Sequence, residues 1–299
     1  MCKTFDVLIS YVNCEDPEWL SEFSNTVGHE HFSETRYRSW NTLKYLLRCV
    51  ETNIPCVNNV ILIVSSTSQV PQWLNTNTVR IVYHTDFIPA EYLPTFNSCT
   101  IESFLYNIRG LSDKLLYFND DMFPVGPLTY EDFFVDNKPN LKFKPRECKI
   151  RGHIYHSQCR HSADLITNML ALPALPYNTI VTPQHICTPM LRSTLQIVGA
   201  ECQNDILNTI SKLRESRNIN QYIYPLYEYF TNNYVTVPVK YKYLRLSNCL
   251  TNVENLILHS DYKLLCLNDS GKISDYNKAS QKLCSIFETK YPNKSKYEV

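Results

Sequence analysis

An apolar run that ends in two carboxylates constrains this chain more than any other feature. Residues 114–118 (Lys-Leu-Leu-Tyr-Phe) have the character of a buried strand, and Asn119, Asp120 and Asp121 follow them directly. A buried strand of an open α/β sheet delivers the side chains after it to the sheet edge, where ligands bind. Paired carboxylates there suit a hard divalent cation that bridges phosphate oxygens. Because Asn and Asp are also common turn residues, an acidic turn is the alternative.

Strand-like and helix-like segments alternate through the first half of the chain. Runs rich in β-branched residues lie at 5–12, 59–65 and 79–83, and helical periodicity lies at 35–50 and 99–108. With 299 residues, the chain can bury a sizeable core. The alternation predicts an α/β fold with a mostly parallel, doubly wound sheet.

The second half is predicted to be mainly helical. Thr188 and Pro189 have the form of a cap followed by the first residue of a helix, which would carry Leu195 and Val198. A last helix is predicted around Leu283.

Polar residues near the predicted strand and helix ends have two interpretations each. Asp16 is either a turn residue before Pro17 or a contact to the base or ribose of a nucleotide. Ser39 stands where the N-cap of the first long helix is expected. Arg36 and Arg38, just ahead of it, could bind a phosphate or form a solvated basic turn.

Charge and hydropathy exclude several classes of partner. Lys and Arg total 29 and Asp and Glu total 29, so no global field attracts nucleic acid or an anionic membrane. No stretch is long and apolar enough to cross a bilayer, and the first six residues lack the apolar core of a signal peptide. A cytoplasmic protein is expected.

The cysteines are expected to be reduced. Twelve are scattered singly, without a C-x-x-C pair. One polar segment contains residue types that bind zinc, at spacings that match no usual finger, so a surface loop is favoured there over a metal site. Its members are Cys148, His153, His156, Cys159 and His161.

Ordered motifs along the chain resemble the conserved blocks of the Stealth family. The motifs are Asp16-Pro17-Glu18-Trp19, Arg36-Tyr37-Arg38, Leu93-Pro94-Thr95-Phe96-Asn97-Ser98 with Ile101-Glu102, Tyr117-Phe118-Asn119-Asp120-Asp121-Met122-Phe123, and Lys263-Leu264-Leu265-Cys266-Leu267-Asn268-Asp269. Stealth proteins are sugar-1-phosphate transferases, which include bacterial capsular polysaccharide enzymes and the catalytic part of the animal phosphotransferase that marks lysosomal hydrolases. The resemblance reaches both ends of the chain, so a nearly complete catalytic unit is expected.

The resemblance implies a fold like that of GT-A nucleotide-sugar transferases, with a helical C-terminal half. Residues 1–136 would form the α/β core that binds nucleotide-sugar and metal, and residues 178–299 would complete the same catalytic domain. Residues 137–177 match nothing in the family, and their mixed polar composition suggests a variable insertion or lid.

The implied reaction is attack by a hydroxyl of an acceptor glycan on the β-phosphorus of a nucleotide-sugar, in capsular or other cell-surface polysaccharide synthesis. Asp120 and Asp121 would hold Mg²⁺ or Mn²⁺, and the catalytic residues would be His185 as the base, Arg214 (or Arg217) as the anion-binding group, and Asp269. Asp269 would either orient His185 or join the metal shell. The implied substrate-binding residues are Asp16, Arg36, Arg38, Ser39, Asn97, Ser98, Glu102 and Asn119.

Two positions depart from the family pattern. Ser39 and Asn218 stand where the family has aspartate, and the aspartate at the first position is implied to be catalytically important. Two other functions remain open: a metal-dependent glycosyltransferase of similar fold that releases nucleoside diphosphate, and a catalytically impaired relative that binds only glycan or a partner enzyme. A peripheral association with a membrane-bound capsule assembly complex is a further expectation.

Overall fold

The chain folds around a five-stranded sheet. The computed structural model describes residues 3–299; Met1 and Cys2, part of the segment judged above for a signal peptide, lie outside the described residues. The strands are β1 (Phe5–Ser10), β2 (Val57–Val64), β3 (Val79–Tyr83), β4 (Lys114–Asn119), β5 (Met122–Pro124), β6 (Phe134–Val135), β7 (Lys138–Pro139), β8 (Phe143–Glu147), β9 (Thr179–Pro183), β10 (Thr188–Leu191), β11 (Tyr241–Arg245) and β12 (Leu264–Asn268). The helices are α1 (Pro17–Val27), α2 (Glu34–Tyr37), α3 (Leu43–Asn53), α4 (Ser98–Ser103), α5 (Ile154–Met169), α6 (Arg192–Glu201), α7 (Gln203–Leu207), α8 (Ile223–Phe230), α9 (Thr251–His259) and α10 (Tyr276–Lys290).

The order of the strands creates a crevice beside β1. The order is β10-β4-β1-β2-β3, in which β1 to β4 are parallel to their neighbours and β10 is antiparallel. The chain runs outward from β1 to β3 and then returns to the other side of β1 as β4, so the strand order reverses between β1 and β4. Ser10 and Asn119 are paired at the carboxyl ends of these two strands. Ligands of open α/β sheets bind at such a switch point.

Both faces of the sheet are covered, which confirms the predicted doubly wound α/β fold. Alternate β1 side chains point to opposite faces: Val7 and Ile9 pack in one cluster with α3 and α10, and Leu8 packs in the other with α5, α6 and α8. The adjacent strand β4 divides in the same way, with Phe118 in the first cluster and Tyr117 in the second.

A second, three-stranded sheet with the order β11-β12-β5 brings the end of the chain to the crevice. Strand β12 is antiparallel to β5, with Cys266 opposite Met122, and the Leu267 N–H donates to the carbonyl of Asp121 at 2.8 Å. This pairing places Asn268 and Asp269, which follow one apolar run, beside the residues that follow the other.

The predicted capping role of Ser39 is wrong. The N-cap of α3 is Thr42, and Ser39 lies in the loop between α2 and α3. Helix α2 ends before this loop, because Arg38 is extended with ψ of 137°, and Asn41 within the loop has a left-handed φ of 57°. The Ser39 hydroxyl instead accepts a hydrogen bond from the Asn41 N–H at 3.2 Å.

The helix predicted from Thr188 and Pro189 also begins later. Residues Thr188–Leu191 form β10, and α6 starts at Arg192. Strand β10 is an edge of the sheet and pairs only with β4. An edge strand tolerates proline because one row of its N–H groups has no strand partner. The predicted last helix is confirmed as α10, with Leu283 buried.

The segment 137–177 contributes to the core. Cys159, Ala163 and Ile166 of α5 are fully buried in the second cluster. The division into 1–136, 137–177 and 178–299 remains a prediction. No helix among residues 3–299 is long and apolar enough to cross a membrane. Most of the cysteines within these residues are buried.

Candidate active site

A cleft of about 510 Å³ opens at the carboxyl ends of β1 and β4. The structure brings most of the predicted site residues to it, although they are spread over the whole sequence. Those that line the cleft are Arg36, Arg38, Ser98, Glu102, Asn119, Asp120, Asp121, His185, Arg214 and Asp269.

Asp120 and Asp121 lie at the end of β4, as the apolar run before them predicts. Burial raises the pKa of Asp120 to about 7, and the negative charge of Asp121 adds to the rise. One Asp121 oxygen, Oδ2, accepts from the Asn268 amide at 3.3 Å. The other, Oδ1, is buried and has no hydrogen-bond partner. A buried carboxylate oxygen without a donor suits a cation.

Asp121, His185 and Cys266 form a cluster of metal-ligand types. One ligand atom from each lies within 4.8 Å of the others, and no other such group occurs in residues 3–299. The Sγ of Cys266 contacts Asp121 Oδ2 at 3.5 Å. Since Cys266 comes from β12 and Asp121 from the β4–β5 turn, the pairing of β5 with β12 creates this cluster.

His185 is held by Tyr222, not by Asp269. Its Nδ1 lies 2.8 Å from the Tyr222 hydroxyl, which is also hydrogen-bonded to Tyr155. Burial lowers the pKa of His185; the carboxylate of Asp121 opposes this effect and Arg214 adds to it. The imidazole is therefore neutral near pH 7.

Arg214 reaches the cleft from the loop between α7 and α8. Its guanidinium donates to the Ser98 hydroxyl at the start of α4, and its Nε is buried without a partner. Arg217, the alternative, is exposed and pairs with Glu215 at 2.7 Å. The structure thus places Arg214 in the cleft and Arg217 on the surface.

Asn97 stabilises the loop that carries Arg214 through hydrogen bonds. Its Oδ1 caps α4 through the Cys99 N–H at 3.1 Å, and its amide donates to the Leu213 carbonyl at 3.1 Å and to Asn218 Oδ1 at 3.0 Å. Asn218 Oδ1 also accepts from the Glu215 N–H at 2.6 Å. Asn218 therefore shapes this loop and does not cap α8, whose N-cap is Tyr222.

Glu102 lies in the cleft wall beneath Arg214. Burial raises its pKa to about 7, although the positive charge of Arg214 and the Gln221 N–H, which donates to Oε2 at 2.9 Å, act in the opposite direction. The Tyr117 hydroxyl lies 3.4 Å from Oε1 and 2.8 Å from the Ser10 hydroxyl. These contacts link Glu102 to the ends of β1 and β4.

Asp269 takes neither of the roles expected for it. Arg38 donates to both of its carboxylate oxygens, and the Trp40 indole N–H donates to Oδ2 at 3.0 Å. Burial raises the pKa of Asp269, but these hydrogen bonds and the Gly271 N–H outweigh it, so the net pKa lies below the ordinary value. Asp269 belongs neither to the partners of His185 nor to the cluster with Cys266.

Three of the predicted substrate-binding residues are not in the lining of the cleft. Asp16 caps α1 through the Glu18 N–H at 3.0 Å and accepts from Ser68 at 2.6 Å and Gln69 at 2.7 Å. Asn97 and Ser39 are 1 % and 3 % exposed. Their substrate-binding assignments remain predictions that the geometry does not favour.

The segment around α5 forms no metal-binding group. The His153 ring caps α5 by accepting from the His156 N–H at 3.4 Å, and His156 Nδ1 lies 2.8 Å from the Lys149 carbonyl. Cys159 is fully buried and faces Asn220. The surface loop favoured for this segment is wrong, because Ile154–Met169 form the helix α5, which buries one face in the core.

Sequence reasoning missed Tyr222 and Cys266 as members of the site. Tyr222 is one of 21 tyrosines, and no local pattern distinguishes it. Cys266 lies inside a recognised motif, three residues before Asp269, and period-two alternation would have placed it on the same face as Asn268.

The chain is similar in sequence to several known proteins. The sequence model of Stealth protein CR2, conserved region 2, matches residues 36–141, which contain Asp120, Asp121 and Glu102. A capsular polysaccharide phosphotransferase WcwK from Streptococcus pneumoniae is 28% identical, over 99% of this chain and 98% of its own. The receptor polysaccharide phosphotransferase WefC from Streptococcus gordonii is 25% identical over the full length of both chains. An exopolysaccharide phosphotransferase SCO6023 from Streptomyces coelicolor is 30% identical over 98% of this chain and 52% of its own.

Among solved structures, mouse xyloside xylosyltransferase 1 aligns with 89% of this chain at 9% identity and a TM-score of 0.36. The match to conserved region 2 over residues 36–141 and the full-length similarity to polysaccharide phosphotransferases show that this chain resembles Stealth proteins.

Proposed function

We propose that this protein transfers sugar-1-phosphate from a nucleotide-sugar to a hydroxyl of an acceptor glycan in the synthesis of a cell-surface polysaccharide. The names of its full-length relatives, capsular and receptor polysaccharide phosphotransferases, support the class of reaction. The observation that carries the proposal is the convergence of a neutral histidine, a half-buried arginine and two carboxylates in one cleft. Phosphoryl transfer needs a proton acceptor, a group that binds the transferred phosphoryl, and neutralisation of the diphosphate.

His185 would accept the proton of the acceptor hydroxyl. Its Nδ1 is bonded to Tyr222, so Nε2 is the nitrogen directed away from that contact. When the Tyr222 hydroxyl donates to Tyr155, its oxygen accepts from Nδ1–H and Nε2 is unprotonated. Because the lowered pKa keeps the ring neutral, Nε2 can then act as a base near pH 7.

Arg214 would bind the transferred phosphoryl group. It keeps one contact to Ser98 and has a buried Nε without a partner, so its guanidinium retains donors for an anion. Arg36 is exposed and lines the same cleft, and it is the second candidate. Arg38 is less suitable because Asp269 occupies its guanidinium.

Asp121, with Asp120 beside it, would hold Mg²⁺ or Mn²⁺ against the diphosphate. The fit rests on the unpartnered Oδ1 of Asp121 and on the all-oxygen ligands that these two residues offer. When bound, the cation neutralises charge on the phosphate oxygens. The pKa of Asp120, which its neighbour and burial raise, would fall on contact with the cation.

The location that we propose is the cytoplasm. Buried thiols such as those of Cys49, Cys187 and Cys266 fit a reducing compartment. We also propose that the protein does not bind nucleic acid, because its net charge of +0 provides no overall attraction to a phosphate backbone.

The test is incubation with a panel of nucleotide-sugars and an oligosaccharide acceptor, followed by phosphorus NMR. Release of nucleoside monophosphate and a new phosphodiester signal is expected. Release of nucleoside diphosphate would instead identify a glycosyltransferase, and donor binding without turnover would identify an impaired relative.

A further inference from the structure

Cys266 places a sulfur donor against Asp121, just behind the residues that line the cleft. The residue is fully buried, and its Sγ lies 3.5 Å from Asp121 Oδ2. No step of the proposed transfer reaction uses a thiol. A hard cation such as Mg²⁺ also gains nothing from sulfur, because it prefers oxygen ligands.

Two side chains of the cluster are already held by hydrogen bonds, as metal ligands usually are. A metal-binding histidine normally bonds its other ring nitrogen to a fixed group, and His185 does so through Nδ1 and Tyr222. Asp121 is fixed through Oδ2 by the amide of Asn268, which leaves Oδ1 buried and unpartnered. The ligand atoms of Asp121, His185 and Cys266 lie within 4.8 Å of one another.

The geometry points to a second use of this cleft: Asp121, His185 and Cys266 form a three-ligand site for a borderline transition metal such as Zn²⁺ or Co²⁺. One carboxylate oxygen, one imidazole nitrogen and one thiolate sulfur, with a solvent molecule as fourth ligand, match the tetrahedral preference of these ions. On binding, the Cys266 thiol releases its proton to solvent and the sulfur takes its place on the metal.

Occupation of this site excludes catalysis. The metal would take the nitrogen lone pair with which His185 accepts a proton, and a carboxylate oxygen that Mg²⁺ or Mn²⁺ needs. Zn²⁺ is therefore an inhibitor that competes with the activating cation, a consequence that rests on the proposed function, whereas the metal site itself does not.

The site is tested by titrating the chelator-treated protein with Co²⁺ and recording its absorption. A sulfur-to-cobalt charge-transfer band that saturates at one equivalent is expected for the wild type. Cys266→Ser should abolish the band, whereas Cys249→Ser, which changes an exposed thiol, should keep it. Absence of the band in the wild type, or its persistence in Cys266→Ser, would overturn the proposal.

A second pair of variants tests the site even if Cys266→Ser does not fold. Asp121→Asn keeps the sulfur and should keep the band while raising the Co²⁺ concentration at half-saturation at least about tenfold, since even outer-shell changes cost that much. His185→Gln should have an effect of similar size. An unchanged half-saturation in both variants would overturn the site even if the Cys266 variants do not fold.

The inhibitory consequence has its own readout. Added Zn²⁺ should suppress transfer by the wild type in the presence of Mn²⁺, and Cys266→Ser should need at least about tenfold more Zn²⁺ relative to its own uninhibited rate. Equal sensitivity of the two proteins would refute the inhibitory role. If no nucleotide-sugar supports transfer, the proposed function fails, while the cobalt spectrum still decides the metal site.

Discussion

Arg38 and Asp269, 231 positions apart in the sequence, form a two-pronged ion pair at the cleft. The Arg38 Nε donates to Oδ2 at 2.5 Å, and Nη2 donates to Oδ1 at 2.8 Å. The two side chains are only 8% and 12% exposed. The pair joins the loop after α2 to the loop after β12. It therefore fixes one side of the cleft with residues that the sequence suggested for catalysis and phosphate binding.

Removal of one partner should destabilise the protein. Asp269→Asn is expected to lower the free energy of unfolding by about 3 kcal/mol at pH 7, because it leaves the Arg38 charge largely buried and unpaired. Asp261→Asn is the matched control: Asp261 pairs with Lys240 on the surface, where solvent screens the charges, so its loss should change stability far less. Urea unfolding measures both values. Equal losses in the two variants would contradict the importance of the pair.

The cost of Asp269→Asn should depend on pH. The folded pKa of Asp269 is lowered, so its stabilising contribution is complete above the unfolded value of about 3.9 and is lost as pH falls through the folded value. The difference between wild type and variant should thus be largest near neutral pH and should shrink below about pH 4. A difference that grows on acidification would have the wrong sign.

Asn97 should affect turnover through Arg214. Asn97→Ala removes the donors that hold the Leu213 carbonyl and Asn218, so Arg214 should lose its position. We expect kcat to fall by about 10- to 100-fold, the range in which small displacements of a catalytic group act.

A double-mutant cycle separates this effect from general destabilisation. In an Arg214→Ala background, Asn97→Ala should cause little further loss of kcat, because the group that it positions is absent. Asn107→Ala, which removes an amide bonded to the Phe87 carbonyl, is the control and should leave kcat unchanged. Fully additive losses in the cycle would show that Asn97 acts elsewhere.

His185 and Tyr222 should act as a unit in proton transfer. His185→Ala should lower kcat on the order of 10²-fold or more, with little change in donor affinity. Tyr222→Phe should have a smaller effect because it removes only the group that fixes Nδ1. Tyr224→Phe, which also removes a buried hydroxyl but one bonded to the Glu102 and Ser103 carbonyls, provides the control. A near-normal kcat in His185→Ala would contradict the catalytic role and indicate that His185 is only structural.

Asp121→Asn should abolish turnover without unfolding the protein. The amide keeps the shape of the turn but removes the charge that would hold Mg²⁺ or Mn²⁺, and excess chelator should have the same effect on the wild type. Asp113→Asn, at an exposed ion pair with Arg192, should stay active. Thermal melting and steady-state assays measure the two properties. Full activity in excess chelator would show that Asp120 and Asp121 form an acidic turn without a metal-binding role.

The sequence predicted the parts of the site that depend on local pattern. Apolar runs ending at Asn119 and at Asn268 indicate buried strands, and the carboxyl ends of parallel strands share one edge of a sheet. The sequence-based account placed Asp120, His185 and Arg214 in one site through the family resemblance, and these residues do line one cleft.

The errors arose where long-range contacts decide the structure. Pro189 has the local form of a helix start, but its segment is an edge strand because it pairs with β4. Asp269 was expected either to orient His185 or to join the metal shell, and it instead forms a bidentate ion pair with Arg38. The contact between Cys266 and Asp121 depends on the pairing of β5 with β12, which no local periodicity encodes.

The departure of Ser39 from the family's aspartate gives the last prediction. Ser39 is 3% exposed, and two potential donors face its side chain: the Asn41 N–H at 3.2 Å and the hydroxyl of Tyr11. An aspartate could accept from both, and Tyr11 lines the cleft near Asp120. We therefore expect Ser39→Asp to raise kcat and to lower the free energy of unfolding by about 1–3 kcal/mol, the cost of an incompletely paired buried polar group.

The neutral isostere Ser39→Asn separates charge from shape. The kcat of Ser39→Asn should resemble that of the wild type, because asparagine fills the same space as aspartate but has no negative charge. Parallel assays of the three proteins on the nucleotide-sugar panel decide the question. An increase common to both variants would attribute the effect to size. If the wild type were inactive on every donor and Ser39→Asp alone restored turnover, the natural chain would be the impaired relative, since the remaining cleft residues would then be competent and the missing charge at position 39 would be the single defect.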